Sequence, residues 1–82
     1  MALSGRVRSN VRRHRALADG MTQQELADRV GVTRQTVHSI ETGKYRPTVE
    51  LALRLGRALG AQVEELFELE DDDEDEDEED IP

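Results

Sequence analysis

Arg34 and Gln35 stand side by side in GVTRQTVHSIETGKYRP, a stretch that runs from Gly31 to Pro47. A guanidinium is a rigid fork of donors, and a carboxamide offers one acceptor and one donor in a plane. Neighbouring side chains of these types can therefore grip flat hydrogen-bonding edges bidentately. Thr33, Thr36, His38 and Ser39 surround them with shorter polar groups, and Lys44, Tyr45 and Arg46 follow. Nothing here pairs a nucleophile with a base. The chain has no cysteine, and its two histidines, His14 and His38, are isolated, so neither thiol chemistry nor a metal cluster is expected. The chemistry on offer is recognition rather than catalysis, with no cofactor.

Caps and breakers show what must hold these groups. In MTQQEL, Thr22 is an N-cap, Glu25 completes a capping box, and Met21 with Leu26 occupy the places of a hydrophobic staple. A second helix is thus expected over Gln23 to Val30, and Gly31 leaves it. The same grammar recurs two residues on. Thr33 caps a third helix, from Arg34 to about Thr42, with Val32 and Val37 as staple and Gly43 as its stop. A first helix is expected from about Ser4 to Ala18, with Val7, Val11 and Ala18 on one stripe. A fourth, capped by Thr48, runs from Val49 to Leu59 and turns Leu51, Ala52, Leu55, Ala58 and Leu59 to one side. A short fifth, over Val63 to Leu69, buries Val63, Leu66 and Phe67 behind the weak cap Gln62. No strand is expected, and the fold class is all-α.

On the third helix, a step of about 100° per residue places Val37, Ile40 and Glu41 on one face. Gln35, His38 and Ser39 point away from it, and Arg34 can swing outward on its long stem. A short helix held on its predecessor through a tight glycine turn has helix-turn-helix geometry, whose second helix enters the DNA major groove by its N-terminal end. There Arg matches guanine O6 and N7, and Gln matches adenine N6 and N7. The residues expected to read bases are Thr33, Arg34, Gln35, His38 and Ser39. Those expected on phosphates are Gln23, Thr36, Lys44, Tyr45 and Arg46, with Arg12 or Arg13 of the first helix.

Glu41 sits on the inward face, where a carboxylate is costly unless paired. The first helix presents Arg15 in register with Val7, Val11 and Ala18. The expectation is a largely buried Arg15–Glu41 pair that fixes the third helix against the first.

These 82 residues carry a formal charge of -8, which averages two unlike segments. Residues 1–69 hold all eleven Lys/Arg against eight Asp/Glu, a net +3, and residues 70–82 add eleven acids and no base. The division expected is a basic DNA-binding domain over 1–69 and an extended acidic tail over 70–82. Three roles for the tail are open: solubility or salt adaptation, a tethered competitor covering the basic face, or recruitment of a basic protein partner. No apolar run approaches a membrane span, and a cytoplasmic protein is expected. Leu53, with Leu69 and Phe67, offers the seam of a homodimer.

Taken together, TQQELA (Thr22–Ala27), GVTRQTV (Gly31–Val37) and IETGKYRP (Ile40–Pro47) resemble the Cro and phage-repressor type of helix-turn-helix, the xenobiotic-response-element family. The likeness covers about Val11 to Phe67 and is greatest to its short single-domain members. It implies a compact five-helix, lambda-repressor-like fold and a transcriptional regulator, usually a repressor, often homodimeric on a pseudo-palindrome of double-stranded DNA. Carried over by position, it puts base contacts at Arg34, Gln35 and Ser39, with Thr33 and His38 adjacent, and phosphate contacts at Gln23, Thr42, Lys44 and Arg46. The pattern departs at Gln62, where a Ser or Thr cap is usual, and in the acidic tail. An alternative is a protein-interaction module, such as the antitoxin of a toxin–antitoxin pair.

Overall fold

The structure, a computed structural model, describes residues 6–70. Along the chain the elements are β1 (Arg6–Ser9), α1 (Val11–Leu17), α2 (Gln23–Val30), α3 (Arg34–Glu41), α4 (Val49–Leu59), α5 (Val63–Leu66) and β2 (Phe67–Glu70). The second and fourth helices form over the residues their caps indicate, and the third ends at Glu41 with Thr42 as its cap. Thr22 Oγ1 accepts from the Glu25 N–H at 3.0 Å, while the Glu25 carboxylate accepts from the Thr22 N–H at 2.8 Å. Two orphan donors of the first turn thus have local partners, which is why so short a sequence signal sets the boundary. Thr33 and Thr48 cap α3 and α4 through the hydroxyl alone, which accepts from the Thr36 and Leu51 N–H groups.

The fold is mostly helical rather than purely so. β1 and β2 form a two-stranded antiparallel sheet in which Val7 pairs with Leu69, Arg8 with Glu68 and Ser9 with Phe67. The first helix therefore begins at Val11, not near Ser4, and the fifth stops at Leu66, before the residues expected to prolong it. Alternation explains the change. Arg-Val-Arg-Ser and Phe-Glu-Leu-Glu both switch between polar and apolar residues with period two, which suits a strand with one face packed. Opposite charges then meet across the ladder, with Arg8 3.0 Å from Glu68 and 3.5 Å from Glu70. Asn10 ends the strand and ties it down, because its N–H donates to the Leu66 carbonyl at 2.7 Å and its side chain to the Glu65 carbonyl at 3.1 Å. Glu70, assigned by composition to the tail, is the last residue of β2; residues 1–5 and the tail residues 71–82 lie outside the described residues.

Val11, Met21, Leu26, Ala27, Val30, Val37, Ile40, Leu51, Leu55 and Leu66 form one buried core, fed by every helix. Full burial of Leu26, Ile40, Leu55 and Leu66 contributes about 2 kcal/mol each. α2 lies against both α3 and α4, so α3 is held from behind by a packed layer. At the start of α5, the Glu65 carboxylate accepts from the Gln62 N–H at 2.8 Å and makes good the weak cap.

Gly56 is buried in the middle of α4, against expectation for a helix interior. A Cβ there would lie 2.6 Å from the carbonyl oxygen of Ala61, so the glycine lets the α4–α5 connection close. Gly56→Ala should therefore destabilise the fold by roughly 1–3 kcal/mol through overpacking, despite the better helix propensity of alanine. Urea denaturation checks this, and a midpoint at or above that of the parent would show that the connection yields freely.

Candidate nucleic-acid interface

Gly31 is the pivot of the helix pair. It takes up φ 82°, and the Gly31 and Val32 N–H groups both donate to the Ala27 carbonyl, at 2.9 and 3.0 Å. A side chain at that φ is strained, so glycine permits the sharp exit from α2. Only Val32 and the cap Thr33 separate this glycine from the first residue of α3. Buried Leu26, Ala27 and Val30 of α2 and Val37 and Ile40 of α3 then lock the pair.

The inward end of α3 is anchored by charge. Arg15 donates from Nε to Glu41 Oε2 at 2.7 Å and from a terminal nitrogen to Oε1 at 3.1 Å. The Glu41 side chain is 4% exposed and that of Arg15 16%, so the pair is largely withdrawn from water. Arg15 also donates to the Met21 carbonyl at 2.7 Å, and Gln23 Nε2 gives Glu41 Oε1 a third bond at 2.9 Å. These donors offset the desolvation of the carboxylate.

Gln23 carries this anchor to the outer face. With its amide nitrogen on Glu41, its oxygen turns toward Arg34 and accepts from that guanidinium at 3.3 Å. His38 Nδ1 lies 3.4 Å from the same amide nitrogen. Arg12, Arg34, His38 and Thr42 line an open depression around this chain of bonds. Arg34, Gln35 and His38 are exposed; Ser39 is half-buried, and its carbonyl accepts from the Lys44 and Tyr45 N–H groups at 2.9 and 3.2 Å. Lys44 and Arg46 are exposed beyond the end of α3. Tyr45 is 44% exposed and lines a small crevice with Val7, Ile40 and Phe67, where the sheet meets the loop. The Thr33 hydroxyl oxygen serves the cap and lies 3.1 Å from that of Thr36, so its methyl is the group left to offer.

The structure thus gathers Arg12, Gln23, Arg34 and His38 around the anchor, with Thr42, Lys44 and Arg46 at the far end of α3. It gives Gln23 a positioning contact that its place in a first turn does not suggest; the capping signature marks the turn but not the residue it faces. Among the described residues no group of three His, Cys, Asp or Glu is arranged to hold a metal, and no helix is long and apolar enough to cross a membrane.

A recognition-type helix set on a tight glycine turn defines a helix-turn-helix protein. The helix-turn-helix family model matches residues 11–66, and the chain belongs to that family, in its Cro/C1-type branch. It is similar to an uncharacterized HTH-type transcriptional regulator of Methanothermobacter thermautotrophicus, 49% identical over 67 residues that make up 80% of this chain and 96% of the relative. The HTH-type transcriptional regulator YgzD of Bacillus subtilis is 45% identical over 53 residues, 65% of this chain and 80% of YgzD. Among solved structures, the clp gene regulator ClgR of Corynebacterium glutamicum superposes with a TM-score of 0.62 at 33% identity. The match covers 67% of this chain and 57% of ClgR, so this chain corresponds to little more than half of that regulator.

The anchor is open to direct test. Glu41→Ala leaves Arg15 unpaired in a mostly dry site and should cost about 3 kcal/mol, whereas Glu41→Gln, which keeps the shape and part of the bonding, should cost less. Gln23→Ala should cost only about 1 kcal/mol, one net hydrogen bond. Thermal unfolding of the three variants gives the order, and equal melting temperatures for Glu41→Ala and the parent would remove the anchor from the account.

Proposed function

We propose that the protein is a DNA-binding transcriptional regulator that reads the major groove with the first turns of α3. The observation that carries the reading is the side-by-side exposure of Arg34 and Gln35 on a helix whose opposite face is locked by the core and by the Arg15–Glu41 pair. Held in this way, the two side chains present their bidentate faces with little left to order on binding. In this proposal Arg34, Gln35 and Ser39 contact base edges, with Thr33 and His38 beside them. Gln23, Thr36, Thr42, Lys44, Tyr45, Arg46 and Arg12 follow the phosphates. The names of the relatives and of the structural neighbour support the reading as a DNA-binding transcriptional regulator.

We further infer a cytoplasmic repressor acting as a homodimer on a pseudo-palindrome. Support for the dimer comes from Leu53, 59% exposed on α4, and Leu69, 78% exposed on β2. Such side chains gain by meeting a second copy.

Selection of bound duplexes from a random pool at moderate salt tests both statements. An enriched pseudo-palindrome, with half-sites about one helical turn apart, is the expected outcome. On that duplex, Arg34→Ala and Gln35→Ala should each weaken binding by about tenfold to a hundredfold and relax one base position, in line with the worth of one bidentate pair. Lys44→Ala should weaken all duplexes alike and lower the salt slope by about one. Binding that is indifferent to Arg34 and Gln35 would refute this use of α3.

A further inference from the structure

The described residues divide the cations into two groups. Arg8, Arg15 and Arg54 are ion-paired with Glu68, Glu41 and Glu50. Arg12, Arg13, Arg29, Arg34, Lys44, Arg46 and Arg57 have no carboxylate at ion-pair distance among those residues, and of these Arg12, Arg34, Lys44 and Arg46 border α3 or the loop after it. β2 brings the chain back to this region. Its last residue, Glu70, lines one crevice with Arg46, Thr42 and Gly43, at the C-terminal end of the reading helix. The next ten residues, 71–80, are all Asp or Glu.

From this exit point we propose that residues 71–80 lie across the cationic face of their own molecule, on Arg46, Lys44 and Arg12, and compete there with DNA. The inference rests on the DNA reading above. Two physical features favour this occupant. An extended run of acids places one negative charge per about 3.4 Å of length, the axial charge density of one DNA strand. Ten residues reach at most roughly 35 Å, while α3 is only about 12 Å long, so the segment spans the face from Glu70 without strain. Its attachment beside the site gives it an effective concentration in the millimolar range, so individually weak pairs suffice. The competition is electrostatic and must fade as salt rises.

The absence of cysteine allows a clean test, because Ile81→Cys accepts a single spin label just beyond the acidic run. In the free, full-length protein at low salt, paramagnetic broadening should centre on the backbone amides of Thr42–Arg46 and Arg12 and disappear at high salt. In parallel, duplex affinity is compared for the full chain, a chain ending at Glu70, and one with residues 71–82 replaced by a Gly/Ser segment of equal length. Both altered chains keep β2 whole. They should bind about tenfold or more tightly at low salt, with the advantage shrinking toward none as salt screens the pairs. Broadening centred elsewhere, such as the outer side of α4, overturns the proposal. Equal affinities of all three chains at low salt also overturn it while leaving the DNA reading intact. If no form binds any duplex, competition falls together with that reading.

Discussion

The placement of α3 depends on one carboxylate. Glu41 is the last residue of α3, its side chain is almost wholly withdrawn from water, and it accepts two bonds from Arg15 and one from Gln23. Arg15 belongs to α1, Gln23 opens α2, and the Met21 carbonyl that Arg15 also holds lies in the link between them. One buried charge therefore joins three helices and a loop at a single point. Its desolvation is offset chiefly by Arg15 and further by Gln23, so the cluster is complete only when all three helices are in place. The arrangement converts a costly group into a constraint on orientation.

That constraint bears on recognition through Gln23. A carboxamide has two ends, and the Glu41 carboxylate takes the donor end, which leaves the acceptor for Arg34. The side chain best suited to grip a guanine edge is thereby held near the surface of the free protein by a neutral partner. A bond of this kind is weak enough to exchange for a base or phosphate, yet it limits where the guanidinium wanders. At the other end of α3 the backbone does the holding, since the Lys44 and Tyr45 N–H groups fold back onto the Ser39 carbonyl. Fixed at both ends, the helix offers side chains rather than motion.

The small sheet has a different consequence. It pairs segments from opposite ends of the described chain, with Arg8 paired to Glu68 and Glu70 and the Asn10 amide donating to Glu68. Pairing so distant in sequence closes a long loop, and its entropic cost is met by the ladder, by the cross-strand charges and by the packing of Phe67 on the core. The sheet also directs the chain as it leaves β2, beside Arg46 rather than on the far side of α4.

Much of this protein follows from local chemistry. Thr22 with Glu25, Thr33, and Thr48 after Pro47 set helix starts, and Gly31, Gly43 and Gly60 set their ends, because caps act over three or four residues and need nothing distant. The inward face of α3, the outward Arg34 and Gln35, and the need of Glu41 for a cation were legible on the same grounds, from periodicity and the cost of a dry charge. The strands were not. Val7 and Val11 suit a helical stripe as well as Val7 suits a strand, and what decides between them is Leu69 and Glu68, some sixty residues away. Gly56 is the same kind of case: its value lies in the Ala61 carbonyl that it lets approach, a contact with no trace in the helix pattern. Short-range hydrogen bonding wrote the helices and the chemistry of their faces into the sequence. Long-range pairing and close backbone approach, which depend on the assembled chain, decided the sheet, the role of Gln23 and the point from which the acidic segment departs.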